Sequence, residues 1–290
     1  MIFYTAIITE IFRPIAVFFA RLKQKPFVLN THGSLLRFKN YLPSFFQQFP
    51  YRAYDLLTLK TSAKRADAII VSSKFEYEDA LEFGISKDKV HVIPMGIKVH
   101  DTKKIINNTL QLLFVGRIAR VRRIELLLQA VEKLKFPFHL TIAGGEEKTS
   151  SVTRSGYLKD LKGLAHKLNL NTKVTFVGRK TQEELKDYYR MADLFVYPSK
   201  YENFGQPLIE AGAHGLPIIA TSVGIARDIV IDGETGYLTS DDPKTMSDRI
   251  QLLQDHKLRQ QMGTQIKELI REKFEWENIM GQYINLYNSF

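Results

Sequence analysis

The stretch DLFVYPSKYENFGQPLIEAGAHGLPIIATS, residues 193–222, holds two apolar runs, DLFVYPS and LPIIATS, on either side of a segment with helical character. Pro207 suits the first turn of that helix, where a missing N–H loses no intrahelical bond. Gly205 before it leaves room for a ligand to approach the backbone. Strand, helix, strand without a tight turn is the signature of a parallel crossover, so the stretch predicts an α/β fold. It also sets two carboxylates, Glu202 and Glu210, eight positions apart across the start of the helix.

The same alternation extends outward. Upstream, LQLLFVGR reads as a strand and Ile124, Leu127, Leu128, Val131 and Leu134 fall at helical spacing; FHLTIAGG, a helix on Leu158, Leu161, Leu164, Ala165 and Leu168, and KVTFVGR follow. Thr181 with Glu184 forms a capping box that opens a helix running toward Met191. These elements make a complete doubly wound domain. Nearer the N-terminus, FVLNTHG, a helix over 54–65, DAIIVSS, a helix capped by Ser73 and Glu76 and ended near Gly84, and KVHVIPMG make a second, smaller α/β block. Residues from about Lys98 to Thr109 are polar and read as a linker, giving a first domain over 1–100 and a second over 101–290.

With 290 residues, 44% hydrophobic and 25% charged, the chain can bury two cores. The absence of cysteine excludes disulfides, thiolate zinc sites and a cysteine nucleophile, and fits a cytoplasmic protein. A net charge of +10 calls for an anionic partner. The basic residues are spread out and match no recognition helix or aromatic-basic motif, so the reading is no nucleic acid. The opening MIFYTAIITEIFRPIAVFFARLK is apolar, but Glu10, Arg13 and Pro14 interrupt it; it reads as a buried or an interfacial helix, buried being favoured because Lys23 to Pro26 lead into an apolar strand, and not as a membrane span. Its apolarity and the basic charge also leave room for peripheral association with an anionic membrane.

In doubly wound sheets ligands bind beyond the carboxyl ends of the strands. That directs attention to Thr31–Ser34, Gly116–Arg123, Gly144–Glu147, Gly178–Thr181 and Ser199–Glu210. The amino end of the helix after Gly205 attracts phosphate, and Glu210, one turn in, can accept hydrogen bonds from a diol such as a ribose. Glu202 lies in the loop ahead of it. Two acids beside a phosphate site suit hydroxyl partners, a sugar on one side and a ribose on the other. Taken singly, Glu202 solvated and Glu210 merely complementing the helix dipole is an equal alternative, and a hydrolytic acid–base pair is a third. FVGRIARVRR adds Arg117, Arg120, Arg122 and Arg123 at a strand end, an uncompensated cationic cluster suited to a diphosphate.

Together these segments resemble the retaining, nucleotide-sugar-dependent glycosyltransferases of the GT-B fold, the group 1 or family-four type. The resemblance rests on E-x7-E between a YPS strand end and PLIEAGAHGLPIIA, on FVGRI upstream, and on NTHGS, ADAIIVSS, VHVIPMGI, IAGGEE, VTFVGR, DGETGYL and FEWENIMGQYINLY in order. It implies two facing Rossmann-like domains, with the helix from Glu275 onward packing back on the first. It implies that Glu210 binds ribose, Glu202 the donor sugar, the amides around Phe204 and Gly205 the sugar or phosphate, and Arg117 and Arg122 the diphosphate. Backbone near Arg179 would meet the base, with Gly116 and Gly145 at the same strand ends, and His32 would face the donor sugar. The implied reaction moves a sugar from a nucleotide-diphosphate donor to a sugar, glycan or lipid-linked acceptor, without a metal or other cofactor; no D-x-D motif is present.

Several positions depart from the family pattern. The usual lysine-glycine after the arginine is Arg122-Arg123, N-G-x-D becomes Met95, Gly96, Ile97, Lys98, and G-G-x-x-E becomes Gly224, Ile225, Ala226, Arg227, Asp228. The family's opening strand and glycine-rich loop do not occur, so the N-terminal domain is expected to be reduced or truncated. A glycosyltransferase-like subunit that binds nucleotide without turnover is the alternative reading, and a nucleotide-sugar epimerase is a weaker one.

Overall fold

In a computed structural model of the chain, described for residues 4–5, 13–31, 49, 60–99, 104–105, 109–146 and 156–290, the fold is α/β and both sheets are parallel. Contacts divide the chain into two units, Met1–Met95 with Ile279–Phe290, and Gly96–Asn278.

The first unit is built on β1 (Tyr4–Thr5), β2 (Phe27–Asn30), β3 (Ala68–Val71) and β4 (Val90–Val92), paired in that order. Side chains alternate across a strand, and here both faces are covered. Phe27, Leu29, Ile69 and Val71 point to one core, with Val17 and Ala20 of α1 (Arg13–Leu22) and Ala63 of α2 (Lys60–Arg65). Val28, Ala68, Ile70 and Ile93 point to the other, with Ile279 and Leu286 of the last helix, Trp276–Asn288. Ser73 caps α3 (Lys74–Glu82) by accepting from the Glu76 amide at 3.2 Å.

The first helix corrects one expectation. Among its described side chains only Val17 and Ala20 are buried, while Ile15, Phe18, Phe19 and Leu22 are 45–63% exposed and form an i, i+3, i+4, i+7 stripe. The apolar content of the segment exceeds what the one face turned to the sheet can cover, so the helix is amphipathic with a second apolar face outside.

The second unit contains β5 (Leu110–Val115), β6 (Phe138–Ala143), β7 (Val174–Gly178), β8 (Leu194–Tyr197), β9 (Ile218–Thr221) and β10 (Gly236–Thr239), in the order β10-β9-β8-β5-β6-β7. Read from the other edge this is the 3-2-1-4-5-6 order of a doubly wound sheet. The helices are α4 (Ile124–Glu132), α5 (Tyr157–Lys167), α6 (Gln182–Met191), α7 (Gln206–Ala213), α8 (Ala226–Ile229), α9 (Pro243–Leu252), α10 (His256–Phe274) and α11 (Trp276–Asn288), which continues into the first unit. The central strands are fully buried, Leu112, Leu113, Phe195, Val196, Ile218 and Ile219 each at 1% exposure or less. The Thr181–Glu184 capping box is complete, with both the side-chain and backbone bonds made.

Candidate functional site

The chain turns to one side of the sheet after β5 and to the other after β8, and β5 and β8 are neighbours. A crevice opens beyond their carboxyl ends, at the point where the winding direction changes. Gly116 and Arg117 leave β5 there, and Pro198 to Glu202 leave β8. Beyond the carboxyl ends of β5, β6 and β7 lies a cleft of about 410 Å³ lined by Gly116, Arg117, Gly144, Gly145, Glu146 and Arg179 among others. Close backbone approach makes this wall. A Cβ on Gly144 would stand 1.8 Å from the Gly116 carbonyl oxygen, and one on Gly145 would touch Arg179 Cβ at 3.4 Å. Bare backbone is therefore required at Gly144 and is what the cleft presents.

A second cluster surrounds the amino end of α7. Glu202 is 12% exposed and pairs with Arg122, Nη2 to Oε1 at 2.5 Å. Arg122 also donates to Ser199 Oγ at 3.0 Å and to the Tyr201 carbonyl at 2.9 Å, and its guanidinium lies 5.7 Å from the Tyr197 ring centre. Tyr197 donates to Glu202 Oε1 at 3.0 Å and stacks on Phe114 of β5 at 5.7 Å. Burial pushes the Tyr197 phenol above its usual range, so it stays a donor to Glu202. Phe204 is buried and its carbonyl accepts from the Ile225 amide at 2.7 Å. Gly224 has φ +48, and a Cβ there would meet the Phe204 carbonyl oxygen at 2.4 Å, so the backbone at this position requires glycine.

Gly205 opens α7, with Pro207 in its first turn. One turn further, Glu210 is 7% exposed. Tyr189 donates to its Oε2 at 2.8 Å, while Gln206 and Gln182 donate to its Oε1 at 3.0 and 3.3 Å. Burial raises the Glu210 pKa, and the bonds from Tyr189 and the two glutamines act in the opposite direction. The His214 ring stacks on Tyr189 at 4.9 Å, and its Nδ1 lies 2.8 Å from the Glu210 carbonyl oxygen.

The sequence-predicted residues thus fall into two groups, Gly116, Arg117, Gly145 and Arg179 on the cleft wall, and Arg122, Glu202, Phe204, Gly205 and Glu210 about α7. His32 lies outside the described residues. The cationic cluster is not uncompensated: Arg120 pairs with Asp160 at 2.8 Å, Arg123 with Asp241 at 2.5 Å, and Arg122 with Glu202. These acids lie far along the chain and meet the arginines only through the sheet order. Arg123 occupies the left-handed region, φ +47, at the position where the family pattern has glycine. Its Nε donates to the Pro198 carbonyl at 3.0 Å, so it ties the two crevice loops together.

Sequence reasoning missed Tyr189, Gln182 and Tyr197. A signal for the first two existed, because positions 182 and 189 share one face of a helix that begins in a loop already singled out. Tyr189→Phe removes one bond to a buried carboxylate; a loss of about 1.5–3 kcal/mol in unfolding free energy is expected from urea denaturation.

The sequence model for glycosyl transferases group 1 matches residues 98–269, and that for glycosyltransferase family 4 matches residues 6–101. The chain belongs to the group 1 glycosyl transferases. It is 28% identical to a D-inositol 3-phosphate glycosyltransferase of Xylanimonas cellulosilytica across 77% of this chain and 57% of that one. It therefore spans little more than half the length of that curated relative. Sucrose-phosphate synthase from Thermosynechococcus elongatus superposes with a TM-score of 0.79 at 29% identity, covering 95% of this chain and 71% of the other. Anabaena HepE, solved with UDP and glucose, superposes at 0.81 with 18% identity, covering 97% and 77%. The GT-B fold implied by the motifs is thereby shown.

Proposed function

We propose that this group 1 glycosyl transferase moves a hexosyl-type sugar from a nucleoside-diphosphate donor to a hydroxyl of a sugar, glycan or lipid-linked acceptor, with retention. The observation that carries the reading is the buried Glu210 carboxylate, held in a fixed orientation by three donors one turn into the helix at the switch point. A carboxylate so placed recognises a vicinal diol, which donates two hydrogen bonds to it. The UDP and UDP-glucose complexes of HepE support a nucleotide sugar as donor.

In this scheme Arg117 and the amino end of α7 take the diphosphate and neutralise charge as it leaves. The base lies against the backbone near Arg179, with Gly116 and Gly145 allowing its approach. The amides near Phe204 and Gly205 hold the sugar, and Glu202 accepts from its hydroxyls. Arg122 orients Glu202 and shares its charge with the phosphate when the donor is bound. The acceptor oxygen bonds to the anomeric carbon on the face from which the diphosphate departs, and a departing phosphate oxygen takes the acceptor proton. The cations supply the electrostatic role a metal would fill, so no metal or other cofactor enters the scheme.

Among the described residues no helix is long and apolar enough to cross a membrane. The exposed Ile15, Phe18 and Leu22 beside Lys23 and Lys25 support peripheral association from the cytoplasm with an anionic bilayer. Phosphatidylglycerol vesicles are expected to float the wild type and to leave Phe18→Asp/Leu22→Asp behind; equal flotation of both removes this surface from the reading.

The test of function is incubation with a panel of nucleotide sugars and acceptors, followed by chromatography of the released nucleotide. Release is expected with one donor class and should be lost in Glu202→Ala and Arg117→Ala. Nucleotide binding without release from any donor would leave the chain a nucleotide-binding subunit.

A further inference from the structure

A second cleft of about 720 Å³ lies in the second unit, at the opposite end of the sheet from the crevice. Its wall includes Asp193, just before β8, and Pro217, just before β9, and so faces the amino ends of the strands. Lys104, Lys257, Arg259, Lys267 and Arg271 line it against the acids Asp193 and Glu268, an excess of three positive charges without counting histidines (five less two). Two of these cations also hold the frame. Lys104 donates to the Ala192 carbonyl at 2.5 Å, and Arg259 Nη1 donates to the Leu253 and Gln254 carbonyls at 2.7 Å. Burial draws the Lys104 ammonium down to about 8, the response of a cation enclosed without full compensation.

The placement of Lys257 runs against local electrostatics. α10 opens with His256 and Lys257 and has no acid in its first turn, so the Lys257 cation stands at the positive end of the helix dipole. Asp255, the N-cap, accepts from the Lys257 and Leu258 amides and offsets part of this charge. Lys267 and Arg271 follow on the same helix, one turn apart, and also line the cleft. A concave surface of this volume, with excess positive charge on several elements, suits a compact polyanion better than an extended acidic chain.

We infer that this cleft is a second binding site, separate from the donor crevice, for a soluble, multiply charged phosphorylated small molecule. His214 also lines the cleft, and it stacks on the tyrosine that holds Glu210. An occupant would thus sit two side chains away from the proposed ribose acid.

The test is isothermal titration calorimetry of the full chain with tripolyphosphate as probe. Saturable binding is expected in the wild type and in Arg117→Ala, and a loss of about tenfold or more in Lys257→Glu/Arg271→Glu, whose positions are exposed. Should that double variant melt early, Lys257→Gln/Arg271→Gln gives the same comparison with less repulsion. Unchanged affinity in the cleft variants, or loss in Arg117→Ala alone, would overturn the inference, the second by assigning the anion to the donor crevice. Cleft-dependent binding to phosphatidylglycerol vesicles with no saturable tripolyphosphate binding would also overturn it, by making the surface a lipid contact. Because binding is read without turnover, its failure is distinguishable from failure of the glycosyltransferase reading.

Discussion

Glu210→Ala is expected to weaken nucleoside-diphosphate binding on the order of a hundredfold, measured by calorimetry across a panel of bases. The carboxylate would accept from two ribose hydroxyls, and hydrogen bonds to a charged group are each worth roughly 1.5–3 kcal/mol, where 1.4 kcal/mol is tenfold. Stability should fall as well, since the buried Tyr189 hydroxyl is left without its acceptor, partly offset by removal of a buried charge. Affinity within a few-fold of wild type would remove the ribose assignment. The same site carries a pH prediction. Burial raises the Glu210 pKa, so the carboxyl favours the folded state below its unfolded value, and this contribution is lost as pH rises through the folded value. Binding has the opposite sign, since ribose needs the ionised form. Affinity should fall on acidification at a pH above the ordinary glutamate range, and Glu210→Gln should not show that fall.

Arg122→Ala is expected to destabilise the Gly96–Asn278 unit by about 3–5 kcal/mol in urea denaturation. The guanidinium is 7% exposed and its partner Glu202 is nearly as enclosed, so truncating one leaves the other buried without its counter-charge. Ser199 Oγ loses its donor as well, while the Tyr201 carbonyl keeps the bond from Ser199 Oγ. Arg122→Met/Glu202→Leu, which removes both charges and keeps volume, should recover most of the loss while nucleotide release stays abolished. A loss under about 1 kcal/mol in Arg122→Ala would mean the pair is solvated in solution, in the range of surface ion pairs.

Much of this molecule is legible locally. The alternation of apolar runs with helical periodicity sets the strands and helices, because both periods are short-range properties of the backbone. Thr181 with Glu184 marks a helix start three residues apart, and the structure completes both bonds. Gly205 and Pro207 mark the start of α7, which puts Glu210 one turn inside. The spacing of Glu202 and Glu210, with the motifs in order, was enough to reach the family.

Partnerships between distant segments were not legible. The arginines after β5 resembled an open phosphate cluster, since nothing within a helical turn neutralises them. Asp160, Glu202 and Asp241 do so from elsewhere in the chain, brought there by the 3-2-1-4-5-6 strand order. Tyr189 reaches Glu210 for the same reason. The run from Lys23 to Pro26 into an apolar strand predicts a buried first helix, but burial depends on how many faces the neighbouring elements cover, and a stripe of four apolar residues stays exposed. The sequence alone determined the fold class, the family and the helix that carries Glu210, all set by spacing along the chain. Tertiary structure alone decided which charges are compensated, which backbone is bare and where a second cationic cleft opens, because each depends on segments that meet only when the sheets assemble.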